Sequence, residues 1–193
     1  MKTRFPKKEK EFSEKVIKIN RVTRVVKGGR RLRFRATVIV GDHRGRVGMG
    51  VAKANEVSDA VSKAATKAKA MLINVPIVNN TIPHATLAKY CASKILLKPA
   101  AEGTGVIAGG AVRDILDLAG IKNVVGKIIG SRNKLNSSHA TLEALKTLRL
   151  KEDIFSSRGR EAKKTVKSET AKSPEQPKAD KSTPKVKTKK TDK

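Results

Sequence analysis

Leu32-Arg33-Phe34-Arg35-Ala36-Thr37-Val38-Ile39-Val40 decides how the rest of this chain is read, because its apolar residues recur at every second position. Leu32, Phe34, Ala36, Val38 and Val40 share one side, and Arg31, Arg33 and Arg35 share the other. That is the period of a strand, whose successive side chains point to opposite faces. One face builds core and the other carries positive charge. Upstream, Val16 to Val26 reads as an extended partner reached through Lys27-Gly28-Gly29-Arg30. Downstream, Gly41-Asp42-His43-Arg44-Gly45 leads into Arg46-Val47-Gly48-Met49-Gly50-Val51-Ala52. The result is an antiparallel meander of three strands joined by glycine-containing turns.

Beyond the meander the period changes. Val57, Ala60, Val61, Ala64, Ala65, Ala68, Met71 and Leu72 follow i, i+3, i+4 spacing, which predicts a helix with one apolar stripe packed on the sheet. Asn55 is the expected N-cap, with Glu56 and Asp59 in the first turn and Lys67 and Lys69 near the end, an order that suits the helix dipole. Pro76 and Asn79-Asn80 close this unit, expected to span 14–76.

A second unit is expected over 77–150. It opens with extended stretches at Thr81–Thr86 and Cys91–Lys98, of which Ile95-Leu96-Leu97 is the strongest strand. Glu102-Gly103-Thr104-Gly105 then leads through Val106 to Gly110 into a helix carrying Ala111, Ile115, Leu116, Leu118 and Ala119, with Gly120 as its C-cap. A strand at Val124–Ile129, the polar loop Gly130 to Lys134 and a last helix with Leu142, Leu145 and Leu148 inward complete it. Residues 1–13 read as a flexible basic arm. From 151 to 193 the chain is Lys, Thr, Ser, Pro and Glu with few apolar side chains, a composition that cannot offset its ordering entropy, so a disordered basic tail is expected.

Charge narrows the function classes. Lys and Arg number 44 against 17 for Asp and Glu, a formal net charge of +27, which repels itself in a free protein and draws polyanions. No apolar run of 18 residues exists and the N-terminus lacks a signal-peptide core, so the chain is read as soluble and not secreted. Cys91 is the single cysteine, and His43, His84 and His139 are too scattered for zinc-ligand spacing. Aromatics are only 3% of residues, so an RNA partner is expected to be held through phosphates, 2′-hydroxyls and shape more than by base stacking.

Gly103-Thr104-Gly105-Val106-Ile107-Ala108 fits the dinucleotide fingerprint, but no acidic residue follows at the end of the next strand to hold a ribose, and no P-loop is present. No cofactor and no metal are therefore expected, and the small residues are assigned to close backbone packing, within the chain or against a protein partner. Asp114 and Asp117 share a helix face without a His, Lys or Cys partner in sequence, so no catalytic group is assigned and the chain is not read as an enzyme. Cys91 is expected to be a half-buried apolar residue, and His84 a turn or packing residue. The basic residues are different because they are placed as well as numerous. Arg21, Arg24, Lys27, Gly28, Gly29, Arg30, Arg31 and Arg33 gather around one glycine turn and Arg44 and Arg46 flank the next. Glycine lets backbone approach a phosphate, and guanidinium grips it with two hydrogen bonds. Arg132 and Lys134 of the later polar loop join these candidate RNA contacts.

Ile19-Asn20-Arg21-Val22, Val26-Lys27-Gly28-Gly29-Arg30, Val40-Gly41-Asp42, Gly45-Arg46-Val47-Gly48, Pro99-Ala100, Glu102-Gly103-Thr104-Gly105 and Ile107-Ala108-Gly109-Gly110 together resemble the bacterial-type small-subunit ribosomal protein five family, over about residues 16–150. The resemblance implies an α+β protein of two small domains. The first is a double-stranded-RNA-binding-like three-stranded sheet with one helix, and the second a βαβ-type domain with left-handed crossover. It implies binding to 16S-type ribosomal RNA, support of subunit assembly, a place near the messenger entry channel, contacts with ribosomal proteins four and eight, and influence on decoding accuracy, all in the cytoplasmic ribosome without membrane or small-molecule substrate. The family's spectinomycin-response loop matches Arg21 to Arg30. Its surface facing ribosomal protein four matches Gly103 to Arg113, giving Gly103, Thr104, Gly105 and Arg113 as partner-interface candidates. The Lys/Pro/Thr tail departs from the compact members. A free-standing double-stranded-RNA-binding regulator or RNA chaperone is the alternative, and a nucleotide-dependent protein using the Gly103 loop a third.

Overall fold

The computed structural model describes residues 11–158, so residues 1–10 of the expected arm and 159–193 of the expected tail lie outside the described residues. Two sheets carry the fold. The first contains β1 (Ser13–Val26), β2 (Gly29–Gly41), β3 (Arg46–Ala54) and β4 (Ile73–Asn74) in that order, all antiparallel. The three-strand meander is present, and β4 adds a two-residue edge that was too short to leave a periodic signal. Helix α1 (Val57–Ala70) lies on one face, where its buried Ala60, Ala64, Ala65 and Ala68 meet Ala36, Val38, Val40, Ala52 and Ala54. Small residues let the backbones come together: a Cβ on Gly50 would collide with the Ala64 carbonyl oxygen and one on Gly48 with that of Ala68. The helix is entered from Glu56, without a side-chain cap, and not from the expected Asn55.

The second sheet has the order β5-β6-β8-β7, from β5 (Thr86–Tyr90), β6 (Ser93–Pro99), β7 (Val106–Ile107) and β8 (Val124–Gly130). β5 and β6 form a hairpin across Cys91-Ala92, so the extended region predicted from Cys91 begins instead as a turn. Cys91 takes φ 50° there and is exposed, not half-buried, because a tight turn holds it away from the sheet. β7 runs parallel to β8 and is joined to it through α2 (Gly110–Ala119). Gly120 caps α2 in the left-handed conformation, as predicted, with its N–H on the Asp117 carbonyl. Helix α3 (Lys134–Lys146) starts at Asn133, whose side chain accepts from the Leu135 N–H at 3.1 Å.

A short helix, α4 (Lys151–Ser157), stands where the tail was expected to be without structure. Ile154 and Phe155 are half-buried, and Glu152 and Asp153 occupy its first turn. The tail's average composition hid this one amphipathic turn.

The two domains share a core. Thr37 is buried and Ile39, Val47 and Met49 pack with Ile115, Leu116 and Leu118 of α2. The second face of β2 is therefore basic only at its Gly29 end, and α2 covers the rest. The β2–β3 turn latches onto the end of α2: the His43 N–H donates to Leu118 O at 3.0 Å and the Gly45 N–H to Ala119 O at 2.9 Å. Gly41 and Gly120 make that approach feasible, since a Cβ on either would strike the Leu118 or His43 carbonyl oxygen.

Candidate nucleic-acid interface

β3 pairs with β2 only from Phe34 to Gly41. The remainder of the β1–β2 hairpin, residues 21–33, is held by its own cross-strand bonds and projects as a two-stranded ribbon of about 20 Å at roughly 3.3 Å per residue. Val25 is 75% and Leu32 47% exposed, so apolar burial does little to hold it, and an unsupported hairpin is marginal in water. At its tip Gly28 takes φ +86°, a conformation open to glycine, while a Cβ there would meet nothing within 4 Å. The glycine serves the turn and leaves the tip uncovered.

Arg21, Arg24, Lys27, Arg30, Arg31 and Arg33 are all exposed on this ribbon. The pairing sets Arg24 directly opposite Arg31, and Arg30 opposite Val25. Like charges directly across a strand pair are destabilising. No Asp or Glu occurs between Lys15 and Gly41 to relieve them, and among the described residues none of these cations has a carboxylate partner. The ribbon is a concentrated positive field that an anionic backbone would neutralise.

The two basic turns do not stand side by side. The 13 residues of β2 separate them, about 40 Å at roughly 3.3 Å per residue, because the strand predicted between them is extended throughout. Arg44 is exposed at the far turn. Arg46 has internal partners: its Nε donates to Asp42 Oδ2 at 2.6 Å and its guanidinium lies 5.2 Å from the Phe12 ring centroid. Asp42 also accepts from the Arg44 and Arg46 N–H groups at 2.8 and 3.0 Å. Burial works to raise the Asp42 pKa, but the Arg46 side chain and the two backbone donors outweigh it and hold the carboxyl below its ordinary value.

Arg132, on the loop between β8 and α3, and Lys134, the first residue of α3, occupy a third place. That loop is pinned by the Ser131 N–H on Ala92 O at 3.0 Å and by Ser93 Oγ donating to Ser131 O at 2.7 Å. Cations passed over in the sequence stand on the outer face of the second sheet, where Lys89 pairs in register with Lys94 and Leu96 with Lys127. The alternation Lys94-Ile95-Leu96-Leu97-Lys98 marks that face only faintly, because Leu96 interrupts the charge.

Gly103-Thr104-Gly105 connects β6 to β7 and does not form the strand-to-helix turn that a dinucleotide site requires. Gly103 and Gly105 take φ 88° and 73° with open space where a Cβ would be, so turn geometry, not packing within the chain, explains them. Arg113, one turn into α2, is exposed and 3.7 Å from Asp117. Asp114 pairs with Lys15 at 2.5 Å, so both helix carboxylates have cationic neighbours. His84 Nε2 accepts from the Arg149 N–H at 3.3 Å, a packing role. Among the described residues no group of three or more His, Cys, Asp or Glu is placed to hold a metal, and no helix is long and apolar enough to cross a membrane.

Comparison with known proteins gives two adjoining matches: the N-terminal domain of ribosomal protein S5 over residues 12–76 and its C-terminal domain over 88–158. The chain is 52% identical over 163 residues to the small ribosomal subunit protein uS5 of Mycoplasmopsis agalactiae, covering 84% of this chain and 71% of that protein. It is also 52% identical over 157 residues to uS5c of Spinacia oleracea, covering 79% of this chain and 51% of the spinach protein, about half its length.

Proposed function

The chain belongs to the ribosomal protein S5 family, a structural and non-enzymatic constituent of the small ribosomal subunit, and from that premise we propose that it works by binding 16S-type ribosomal RNA through the 21–33 ribbon. The observation that carries this is the unrelieved positive field of the ribbon, above all Arg24 facing Arg31. A hairpin that is marginal alone and strained by its own charge gains order when phosphates enter between its guanidinium groups. Affinity comes from charge neutralisation and the address from the fit of the ribbon to converging helices. Arg44, Arg132 and Lys134 supply further phosphate contacts around the two-domain body, while Arg46 acts through the turn it shapes with Asp42.

The family resemblance extends the reading to subunit assembly and to translational accuracy near the messenger entry region. Gly103, Thr104, Gly105 and Arg113 face ribosomal protein four, with ribosomal protein eight a second neighbour, in the cytoplasmic ribosome. A bulky charged residue at Gly105 would then harm docking to that neighbour more than RNA binding.

Two measurements test the proposal. In gradient sedimentation of a lysate the protein should travel with the small subunit through moderate salt; a free pool as the main species would count against it. With an RNA fragment of the subunit, Lys27→Ala with Arg30→Ala should reduce the dependence of log K on log salt by roughly one unit per lost contact. An unchanged slope would mean that these side chains face solvent, and equal affinity for arbitrary duplexes would favour a free-standing RNA binder.

A further inference from the structure

β7 covers only Val124 and Val125 of β8, which leaves the edge from Gly126 onward open. Between that edge, the start of α2 and the start of α3 lies a groove of about 600 Å³, within the size range of small-ligand sites. Its walls are of two kinds. Ile107, Ala108, Val125 and Ile128 are apolar, while Lys127, Arg132 and Lys134 bring positive charge, and no carboxylate lines it.

The polar end is built for an anion. α2 begins at Gly109 without a side-chain cap, and the Val112 and Arg113 N–H groups turn back to Gly109 O. A Cβ on Gly110 would meet nothing within 4 Å, so the backbone there is open to a ligand. A free helix N-terminus attracts phosphate through its N–H groups and dipole. A second, independent feature lies in the same groove: Ser137 lines it, is 1% exposed, and its Oγ has no hydrogen-bond partner. An unpaired buried hydroxyl is costly unless something outside the chain completes it.

We propose that this groove holds one unstacked nucleotide of a single-stranded RNA segment, its phosphate at the α2 N-terminus with Arg132 and Lys134 and its base against the apolar wall. The inference rests on the reading of the chain as an RNA binder and adds a site that the ribbon does not contain. A wall of aliphatic side chains accepts any base face, so the site selects an extruded nucleotide and not a sequence.

The test is a fluorescence-anisotropy titration of the full chain with a labelled uridine hexanucleotide and, separately, an RNA duplex. Arg132→Gln with Lys134→Gln should weaken the hexanucleotide on the order of tenfold and the duplex by a clearly smaller factor, since the ribbon carries most of the duplex contact. Lys27→Ala with Arg30→Ala should do the reverse, so a failure of the ribbon is seen apart from a failure of the groove. Ser137→Ala should weaken the hexanucleotide about threefold while leaving the melting temperature unchanged or raised. A hexanucleotide indifferent to the groove substitutions, or equal losses on both RNAs, would overturn the site. Uridine monophosphate binding as tightly as the hexanucleotide would make it a free-nucleotide site, and displacement by hexaglutamate would make it a groove for an acidic peptide strand; either result overturns the RNA assignment.

Discussion

Replacing Asp42 by Asn keeps the shape of the β2–β3 turn and removes its charge. In the native turn the carboxylate takes three donors, the Arg44 N–H, the Arg46 N–H and Arg46 Nε, at 2.8, 3.0 and 2.6 Å. The Asp42 side chain is 4% exposed but that of Arg46 is 51% exposed. Water therefore screens part of the pair, and its contribution belongs in the lower half of the range for charge-assisted bonds. Asn retains an oxygen for the backbone but turns an N–H₂ group toward the guanidinium, donor against donor. The expected loss is about 2 kcal/mol at pH 7, read as a lower urea midpoint at unchanged slope. Because this turn carries the His43 and Gly45 bonds to α2, the loss falls on the interface of the two domains. Its pH dependence has a definite sign. The folded carboxyl titrates below its ordinary 3.8, so its contribution is complete above that value and is lost as acid carries the pH down through the folded pKa. The deficit of Asp42→Asn should hold from neutral pH to about pH 4 and shrink below it. A deficit of the same size at neutral pH and well below 3.8, or none at pH 7, would refute the reasoning.

Three further outcomes are expected. Gly120→Ala places a Cβ on the His43 carbonyl in a left-handed backbone, whereas Gly28→Ala meets only the φ penalty; urea unfolding should show a loss of about 3 kcal/mol for the first and about 1 for the second. His139 stacks on Tyr90 with centroids 4.6 Å apart, and its pKa is lowered chiefly by burial. Its neutral form is favoured in the fold, so stability should fall as pH drops below about 6.5, and His139→Phe should flatten that fall while keeping the stack. Cys91, exposed at φ 50°, should react with a thiol reagent in the folded protein as fast as in the unfolded chain, and Cys91→Gly should raise stability by about 1 kcal/mol.

The alternation Leu32 to Val40 and the i, i+3, i+4 alanines of α1 were enough to derive the meander and its helix, because each element buries one face and leaves that period in the sequence. Gly28 and Gly120 announced a turn and a cap for the same local reason. The basic ribbon was legible too, since its cations are close in sequence. Pairing partners set by distant strands were not. Only the assembled structure showed that α2 covers Thr37 and Ile39 and that Arg46 is held by Asp42 and Phe12. It also brought Gly110, Lys127 and Ser137, far apart along the chain, around one groove. Local periodicity records which face is buried; what buries it depends on long-range packing, for which one strand's pattern carries no address.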